Sequence, residues 1–432
     1  MILSRYLKVF PSIDKPDHFL LYSTLRGSMA AVPAATLQAL QQGKGSKAEA
    51  ETLSRLGMLV PDTDTEKEQM RGLLERANGR SRNFKAMVVL NLDCNLDCGY
   101  CYEGQFRGGH YMSGATADLL VQTLSRERIC EGWDLTLSFY GGEPLLSLDL
   151  IERISRPLQR MAREKGGKFG FNLVTNGTLL TREVAEKLVP LGLTGAKFTL
   201  DGPPEIHNGE RPFASGAGSF DAIVDNMASI WDLVPINLGG NFRECNYLEF
   251  PRLLDLLVSR GITPEKLRHV QFTPVTPQAG CADQSSGCAS SNAPWLVDAL
   301  MYLRGEILSR GFKTSRPGVS ACVVELEDNI VVNCEGKLYK CPAFMGWEGL
   351  SVGSLAEGMK QYHASHCIGN WQTEECLECC YLPLCFGGCR FLTLSQGKLM
   401  SDVDCKRQFL DATLERILQQ NLTCPAAGTT PA

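Results

Sequence analysis

The chain has 432 residues, of which 44% are hydrophobic and 21% charged, and its formal net charge is −5. Length and composition predict a globular protein of two or three domains. The net negative charge predicts no nucleic-acid partner, because proteins that bind nucleic acids usually have a basic face. No apolar run reaches the ~18 residues that a membrane span needs, and the first residues lack a secretory signal. We therefore expect no membrane partner and a cytoplasmic location.

The first part of the chain predicts a small module of two strands and two helices. A turn at Arg26–Gly27 separates the two strands, and Gly43 and Gly57 suit the ends of the two helices. We assign residues 1–64 to this first domain. The highly charged residues 65–83 are predicted to form a helical or partly flexible linker.

Six strands alternate with six helices in the next part of the chain, residues 84–311. The strands are predicted near 85–92, 134–140, 168–175, 195–201, 234–240 and 268–275. The helices are predicted near 115–130, 148–165, 181–191, 218–232, 247–260 and 295–310. This alternation indicates an α/β domain with a parallel sheet. Six units are too few for a complete barrel, so we expect a partial (β/α)6 barrel, with a flat doubly wound sheet as the alternative.

Residues 312–424 are rich in cysteine and contain short hairpin-like strands, and residues 425–432 are predicted to be a disordered tail. The whole chain has 18 cysteines. In a reducing compartment disulfides are rare, and clustered cysteines are more often metal ligands.

Three cysteines, Cys94, Cys98 and Cys101, follow the first strand of the predicted barrel. Three thiolates on one loop can hold three irons of a 4Fe–4S cube and leave the fourth iron open to a substrate or cofactor. Tyr100 and Tyr102 would give the cluster an aromatic, partly water-excluding surround. A zinc site or free thiols are the alternatives, although structural zinc usually takes four protein ligands.

Glycines and polar side chains are predicted at the carboxyl ends of the next three strands, where α/β sheets bind their ligands. The glycines allow close approach of another backbone because they have no Cβ. These residues are Gly141, Gly142, Glu143, Pro144, Thr175, Asn176, Gly177, Thr199, Asp201, His207 and Arg211.

The spacing Cys94-x3-Cys98-x-Tyr100-Cys101 resembles the CxxxCxφC signature of the radical S-adenosylmethionine (SAM) superfamily. The resemblance implies that SAM chelates the open iron and is cleaved by an electron from the cluster. The product, a 5′-deoxyadenosyl radical, abstracts hydrogen from the substrate. Residues 141–144 resemble the GGEP motif that receives the SAM amino group. Thr199 is an implied contact to the SAM ribose or carboxylate, with Asp201 or Arg211 nearby. Tyr100 and Asn176 complete the implied SAM-binding set.

Seven further cysteines have the spacing of a known extension of this family. The pattern Cys322-x13-Gly336-x4-Cys341, then Cys376-x2-Cys379-x5-Cys385-x3-Cys389, then Cys405 resembles the SPASM domain. The resemblance implies one auxiliary cluster on Cys376, Cys379, Cys385 and Cys405, and another on Cys322, Cys341 and Cys389. It thus implies three 4Fe–4S clusters in all. Two alternatives exist for the fourth ligand of the second auxiliary cluster: Cys334 supplies it, or that site is open for a substrate group. A pair of structural zinc sites is the alternative.

The layout resembles the maturases of ribosomally made peptides, including geopeptide maturases. The first domain resembles a small winged-helix domain that binds leader peptides by adding a strand to its sheet. We therefore expect a precursor peptide as substrate and a flavodoxin or ferredoxin as electron donor. The expected product is a thioether or carbon–carbon cross-link. Cys281 and Cys288 either line the substrate channel or are free thiols.

Two other functions remain as alternatives. One is an anaerobic sulfatase maturase that makes formylglycine, but that branch has an Asp immediately after the cysteine that closes GxxxxC, and here this residue is Pro342. The other is an iron–sulfur electron carrier, which would have no need of a SAM pocket.

Overall fold

The computed structural model describes residues 1–101, 103–275, 294–347 and 349–424. Tyr102, Cys281, Cys288 and the predicted tail lie outside these residues. The strands are β1 (Ile2–Leu3), β2 (Leu7–Pro11), β3 (His18–Ser23), β4 (Met29–Pro33), β5 (Leu59–Val60), β6 (Asn83–Asn91), β7 (Asp134–Gly141), β8 (Phe169–Val174), β9 (Leu193–Thr199), β10 (Ile236–Phe242), β11 (Leu267–Pro274), β12 (Asn329–Val332), β13 (Lys337–Tyr339), β14 (Gly353–Ser354) and β15 (Gly358–Met359).

The helices are α1 (Ala34–Gln41), α2 (Lys47–Arg55), α3 (Thr63–Arg71), α4 (Leu73–Arg80), α5 (Gly114–Leu124), α6 (Leu148–Glu164), α7 (Arg182–Leu188), α8 (Pro204–Glu210), α9 (Phe220–Ile230), α10 (Phe250–Ser259), α11 (Pro294–Ser309), α12 (Glu374–Leu377), α13 (Leu382–Cys385), α14 (Arg390–Ser395) and α15 (Arg407–Thr423). Two compact units contain these elements. The first unit consists of Met1–Arg80, Arg316–Glu327 and His363–Thr423, and the second mainly of Ser81–Ser315 and Asp328–Tyr362.

A parallel sheet forms the centre of the second unit. Strands β6 to β11 lie in chain order, each parallel to its neighbour. A doubly wound sheet would reverse its strand order at a switch point, and the order here runs in one direction. Strand β6 contains the fully buried run Val88, Val89 and Leu90, as expected of a parallel strand covered on both faces. The α/β class and the six predicted strands are thus confirmed.

The helices between these strands agree with the sequence patterns. Helix α6 buries Ile151, Ile154 and Leu158 on one face at helical spacing. The six predicted helices correspond to α5, α6, α7, α9, α10 and α11. The short helix α8, which follows β9, was not predicted, because seven residues beginning at a proline leave little periodic signal.

The predicted hairpin in the cysteine-rich region is formed by β12 and β13, which pair in antiparallel fashion. Its place in the sheet was not predicted: β12 also pairs in parallel with β6, so it extends the central sheet beyond the first barrel strand. All four residues of β12 are buried. The hydrophobic pattern of a four-residue strand such as β12 is too short to show which strand it pairs with.

The first unit contains an antiparallel sheet in the order β2-β3-β4 and the two predicted helices α1 and α2. Helix α2 begins at a capping box in which Ser46 and Glu49 satisfy each other's backbone N–H groups. Gly43 and Gly57 have φ values of +70° and +71°, as expected at helix ends. The module of two strands and two helices is confirmed, while β1, β2 and β5 were not predicted.

Strand β3 is buried on both faces, as the period of two in a strand permits. Leu21 packs on one face with Val32, Leu37 and neighbouring residues of the module. Leu20 and Tyr22 pack on the other face with residues from the end of the chain. These are Tyr381, Leu384, Leu414 and Leu418. The beginning and the end of the chain therefore share one hydrophobic core. The domain boundaries given above stay a prediction.

Within the described ranges, no helix combines the length and apolarity needed to cross a bilayer.

Candidate active site

The three-cysteine loop follows β6, and its thiols at Cys94, Cys98 and Cys101 are partly buried. Backbone hydrogen bonds fasten this loop to the end of the neighbouring strand β7. The Gly142 N–H donates to the Asn91 carbonyl at 3.1 Å, and the Glu143 N–H donates to the Asp93 carbonyl at 2.8 Å. The start of the cysteine loop is therefore positioned by the sheet itself.

Only glycine fits at the two positions that make this contact. A Cβ on Gly141 would lie 2.1 Å from the Asn91 carbonyl oxygen, and one on Gly142 would lie 2.1 Å from that of Asp93. Gly141 also has a φ of +131°, which residues with a side chain rarely adopt. The close backbone approach predicted for this motif is present, and it is made to the cysteine loop.

Glu143 is fully buried and joins the ends of β7 and β8. Its carboxylate accepts hydrogen bonds from the Thr175 hydroxyl at 2.8 Å, the Asn176 N–H at 2.8 Å and the Leu145 N–H at 3.1 Å. Burial raises the pKa of Glu143 to about 7, against the lowering effect of these hydrogen bonds. A carboxylate has about four acceptor sites, so three donors leave capacity for one more.

Two N–H groups point at the sulfur of Cys94. The Leu96 N–H lies 3.4 Å from Sγ, and the Asn176 side-chain amide lies 3.5 Å from it. The same amide donates to the Asn95 side chain at 2.8 Å. Burial raises the pKa of the Cys94 thiol and the Leu96 N–H lowers it, so this site would favour the thiolate once a cation is bound. Asn95 was not predicted, because a lone Asn in a loop most often marks a turn.

Tyr100 lies at the centre of a buried polar network. Its hydroxyl donates to Asp201 and accepts from Arg211 at 2.6 Å and from Asn241 at 2.9 Å. The Asn241 N–H also donates to Asp201 at 2.7 Å. Burial raises the pKa of Asp201, and the nearby Arg211 lowers it. The structure thus brings Tyr100, Asp201 and Arg211 together. This agrees with their predicted positions at the carboxyl ends of the strands, which form one rim of the sheet. It adds Asn241 from β10, which no motif identified.

Arg211 also affects the cysteine loop. Burial raises the pKa of Cys98 to about 11, and the positive charge of Arg211 lowers it. Among the described residues, the Nε of Arg211 is buried and has no hydrogen-bond partner. A buried cation with a spare donor beside a thiol suits an anionic ligand.

His207 is connected to Arg211 through hydrogen bonds. Its Nδ1 accepts from the Asp201 N–H at 3.1 Å, and its Nε2 pairs with the Ser219 hydroxyl at 3.0 Å. That hydroxyl donates to the Arg211 carbonyl at 2.6 Å. Burial lowers the pKa of His207 to about 3, so the ring is neutral. Within this network His207 positions the Arg211 segment.

Two other predicted residues lie on the same rim. Thr199 is the last residue of β9 and is paired with Gly239 of β10. Pro144 is buried and begins a 3-10 turn after β7. Their roles stay predictions.

A cavity of about 250 Å³ opens beside the cysteine loop in the second unit. Glu103, Phe106 and His110, which follow the loop, line it together with Cys334 and Tyr339 from the β12–β13 hairpin. Cys334 is buried at the turn of this hairpin. The pKa of the Cys334 thiol is raised by burial.

Four of the predicted cluster cysteines lie near one another in the first unit. Cys376 is in α12, Cys379 follows it, Cys385 ends α13, and Cys405 precedes α15. Burial raises the pKa of Cys385 to about 12, and the charges of Cys379, Cys376 and Cys405 add to the rise. The structure therefore brings this predicted set within electrostatic range.

The remaining cluster cysteines are divided between the units. Burial raises the pKa of Cys389, and Cys322 adds to the rise, so these two thiols of the first unit are near each other. Cys341 follows β13 in the second unit. In the part of the chain that the structure describes, no three His, Cys, Asp or Glu side chains lie close enough to hold a single metal ion.

Residues 88–238, which span the cysteine loop and the strands of the rim as far as β10, match the radical SAM superfamily. Among curated proteins, an Fe-coproporphyrin III synthase of Methanosarcina barkeri is 30% identical over 187 residues, 42% of this chain. The match spans only 43% of that relative. A cysteine-type anaerobic sulfatase-maturating enzyme of Clostridium perfringens is 24% identical over 331 residues, 69% of this chain and 86% of that protein.

Two solved structures share the fold. One is native anSMEcpe with bound AdoMet and Kp18Cys peptide, at a TM-score of 0.62 and 18% identity, covering 78% of this chain and 98% of that one. The other is Streptococcus suis SuiB bound to precursor peptide SuiA, at a TM-score of 0.56 and 12% identity, covering 94% and 99%.

The cysteine loop and its glycine contact lie within the segment that matches the radical SAM superfamily, and the curated relatives support an enzyme. The resemblance to SPASM-type peptide maturases, drawn from the cysteine spacing, is also confirmed. The chain is therefore similar to peptide-modifying radical SAM enzymes.

Proposed function

We propose that this enzyme modifies a ribosomally made precursor peptide and installs a cross-link in it. The observation that carries the proposal is the three-thiol loop held by backbone contacts to Gly141 and Gly142 at the carboxyl rim of the sheet. Three soft thiolates and an adjoining pocket of polar groups are what an open iron–sulfur cluster and its cofactor require.

Cys94, Cys98 and Cys101 would hold the first 4Fe–4S cluster. The donor set fits: the thiols are partly buried, Cys94 Sγ already faces two N–H groups, and Arg211 lies near Cys98. When bound, the cluster and SAM supply a 5′-deoxyadenosyl radical that takes a hydrogen atom from the peptide. The protein positions and shields these groups.

The surrounding side chains would orient SAM. The spare acceptor site of the Glu143 carboxylate suits the amino group of SAM, and the free Nε of Arg211 suits its carboxylate. Asn176 and Tyr100 hold the loop and the arginine in place, while Asp201 balances the charge of Arg211. Thr199 is proposed as a contact to the ribose or carboxylate, and Pro144 fixes the turn after the glycines.

The cysteine-rich region, residues 312–424, would act as a SPASM domain with two auxiliary clusters. Cys376, Cys379, Cys385 and Cys405 are proposed to ligate one cluster, supported by their mutual proximity. Cys322, Cys341 and Cys389 are proposed for the other on the basis of their spacing. These clusters would accept the electron that remains after the new bond forms. A flavodoxin or ferredoxin in a reducing cytoplasm would supply the electron that starts the reaction.

The first domain would bind the leader of the precursor peptide along β4, in a winged-helix-like arrangement. Strand β4 is at an edge of its sheet. The Ser28 carbonyl accepts from the Ser23 N–H of β3, and the Ala34 N–H donates to the Asp17 carbonyl just before β3. Residues that bond to the neighbouring strand alternate with residues that do not, so the backbone groups of Met29 and Ala31 face away from β3. An outward row of backbone donors and acceptors can pair with an added strand.

A single substitution tests this leader site. Ala31→Pro removes one outward N–H but leaves the pairing with β3 intact, since edge strands tolerate proline. We expect weaker binding of a fluorescent precursor peptide and unchanged SAM cleavage without peptide. Ala31→Val, which keeps the N–H, should bind as the wild type does. Equal affinity for the proline variant would refute the β4 site. Deleting the module is a poorer test, because Leu20 and Tyr22 pack against the end of the chain.

Formylglycine formation is the second candidate, favoured by the match to the sulfatase-maturating enzyme over 86% of its length. Pro342, which begins the turn after Cys341, cannot accept a proton and weighs against it. Co-expression of the chain with short peptides encoded beside it, followed by tandem mass spectrometry, separates the two. A cross-link removes two hydrogen atoms and resists fragmentation between the joined residues. Formylglycine made from cysteine removes the sulfur atom instead. An unmodified peptide in every case would refute the proposed function.

A further inference from the structure

The cavity beside the cysteine loop lies between two segments that follow each other along strand β6. Strand β12 pairs with β6 as far as Val88. The chain that returns from the cysteine loop pairs with the next residues: the Met112 N–H donates to the Leu90 carbonyl at 2.8 Å, and the Leu92 N–H donates to the His110 carbonyl at 3.0 Å. The cavity of about 250 Å³ therefore opens between this returning chain and the β12–β13 hairpin, all within the second unit.

Two aromatic residues and two sulfur-containing residues line this cavity. Phe106 and Met345 are partly buried, while Tyr339 and Cys334 are 5% and 6% exposed. A Cβ on Gly346 would lie 2.9 Å from the Phe106 ring, so this ring lies directly against the backbone that follows the hairpin. Aromatic rings and thioethers make favourable contacts with a further aromatic ring. The lining therefore favours an aromatic ligand.

The charged residues of the lining do not require a charged ligand. Glu335 and Lys337 pair with each other at 3.1 Å, and both side chains are more than half exposed, so they lie at the mouth of the cavity. Glu103 also lines the cavity and is buried. The edge of an aromatic ring carries a partial positive charge, so a ring is better suited than an aliphatic side chain to lie near a carboxylate.

The size of the cavity suits one large side chain. An engineered apolar cavity of about 150 Å³ binds benzene, and this cavity is larger. Cys94, Cys98 and Cys101 are not among the described residues that line it, so it is a separate space from the thiols of the loop. A groove of about 560 Å³ adjoins the cavity, shares Lys337 and Tyr339 with it, and continues across β13 and β14. An extended chain in this groove can place one side chain in the cavity.

We propose that this cavity binds an aromatic side chain of the precursor peptide, and that the groove holds the adjoining residues of the peptide. The class of ligand rests on the proposed function, which supplies the peptide. Because Glu103 is two residues after Cys101, an aromatic side chain held here lies close to the loop at which the reaction starts. The expected substrate therefore has a phenylalanine, tyrosine or tryptophan close to the residue that is modified.

Competitive photolabelling tests this site without any turnover. The label is the N-acetyl amide of a phenylalanine that carries a diazirine on its ring. Full-length protein is illuminated with it anaerobically, digested and mapped by tandem mass spectrometry, and we expect labels within residues 103–110 and 334–346. Because burial of a phenyl ring is favourable, N-acetyl-phenylalanine amide should suppress labelling at a concentration at least about tenfold below that of N-acetyl-alanine amide. Labelling elsewhere, or equal suppression by the two amides, would overturn the proposal.

A saturated ring separates aromatic recognition from size. N-acetyl-cyclohexylalanine amide has a side chain of similar volume but no π electrons, so we expect it to suppress labelling less well than the phenylalanine amide. Equal suppression by the two compounds would overturn the assignment of an aromatic ligand.

Two substitutions of Met345 test the location. Met345→Trp fills the cavity and should abolish labelling there. Met359→Trp is the matched control, because Met359 is 45% exposed in β15 and lines neither the cavity nor the groove. Met345→Ala widens the cavity, so the bulkier N-acetyl-2-naphthylalanine amide should suppress labelling at a lower concentration than in the wild type. Such a gain cannot come from misfolded protein. Wild-type behaviour of both Met345 variants would overturn the proposal.

Failure of this site and failure of the proposed function give different results, because photolabelling needs neither SAM nor a cluster. A protein that modifies a co-expressed peptide but is labelled elsewhere would overturn only the aromatic site. A protein that is labelled as expected but leaves every peptide unmodified would support the site and refute the proposed function.

Discussion

The two cysteine regions of this enzyme are held in different ways. In the second unit, three cysteines lie within one loop, and backbone contacts to Gly141 and Gly142 fasten that loop to the neighbouring strand. In the first unit, the cysteines come from segments far apart in the chain, and the buried pair of Glu325 and Arg390 joins its own two segments to residues 367–369. The first site depends on main-chain geometry, and the second depends on side-chain charge.

The largest effect is expected at the three-cysteine loop. Cys98→Ala removes one of the three thiolates that would leave a single iron open, so SAM cleavage should be abolished. Iron bound by the C-terminal cysteines should remain, because those ligands belong to other segments. Quantifying 5′-deoxyadenosine and iron in anaerobically purified protein tests both. Normal cleavage by the variant would show that the two regions have been assigned the wrong roles.

A glycine substitution tests the main-chain contact directly. Gly142→Ala places a Cβ 2.1 Å from the Asp93 carbonyl oxygen, so the cysteine loop must move. A displacement of about 1 Å can cost about 100-fold in rate, and we expect a fall of that order in SAM cleavage. Gly209→Ala, in α8, meets nothing within 4 Å and is the matched control. Equal rates for the two variants would show that the glycine contact does not position the loop.

The ion pair of the first unit is tested by a double-mutant cycle. Removing one partner of a buried pair typically costs about 3–5 kcal/mol, because the other charge stays buried and unpaired. Glu325→Gln and Arg390→Met should each lower the free energy of unfolding by an amount of this order, measured by chemical denaturation. The double variant should lose less than the sum of the single variants. Additive losses would mean that the pair does not join these segments.

A pH dependence is expected in the second unit, and near neutral pH it is the smallest of these effects. Folding lowers the pKa of His207 from 6.5 to about 3, so the unfolded chain binds the proton more readily. Its contribution to stability is complete above pH 6.5 and declines as the pH falls towards 3, by about 1.4 kcal/mol per pH unit. His207→Gln cannot titrate, so its unfolding free energy should depend less on pH over this window. If the unfolding free energies of the wild type and of His207→Gln depended on pH in the same way, His207 would not be buried and neutral in the folded protein.

The difference between the regions also explains what could be predicted from the sequence. Strands β6 to β11 have strong apolar patterns, and parallel strands in series bring their carboxyl ends to one rim, so Cys94, Gly142, Glu143 and Arg211 could be assigned to one site. Asn95 and Asn241 were missed, since single amides in loops or at strand ends have no pattern of their own.

In the cysteine-rich region the sequence predicted ligands only through family spacing. The spacing could not show that β12 pairs with β6, because a strand of four residues does not specify its neighbour. It also could not show that Glu325 pairs with Arg390, since these residues are 65 positions apart. Such long-range side-chain contacts appear only in the folded chain.

Cys94, Cys98 and Cys101 are proposed to hold a cluster with one iron open to SAM. The most direct measurement is the electron paramagnetic resonance spectrum of the dithionite-reduced, anaerobically purified enzyme before and after SAM is added. We predict that SAM changes the signal of one cluster and that this change is absent in Cys98→Ala. A spectrum that SAM leaves unaltered, or zinc in place of iron in the loop, would contradict the claim.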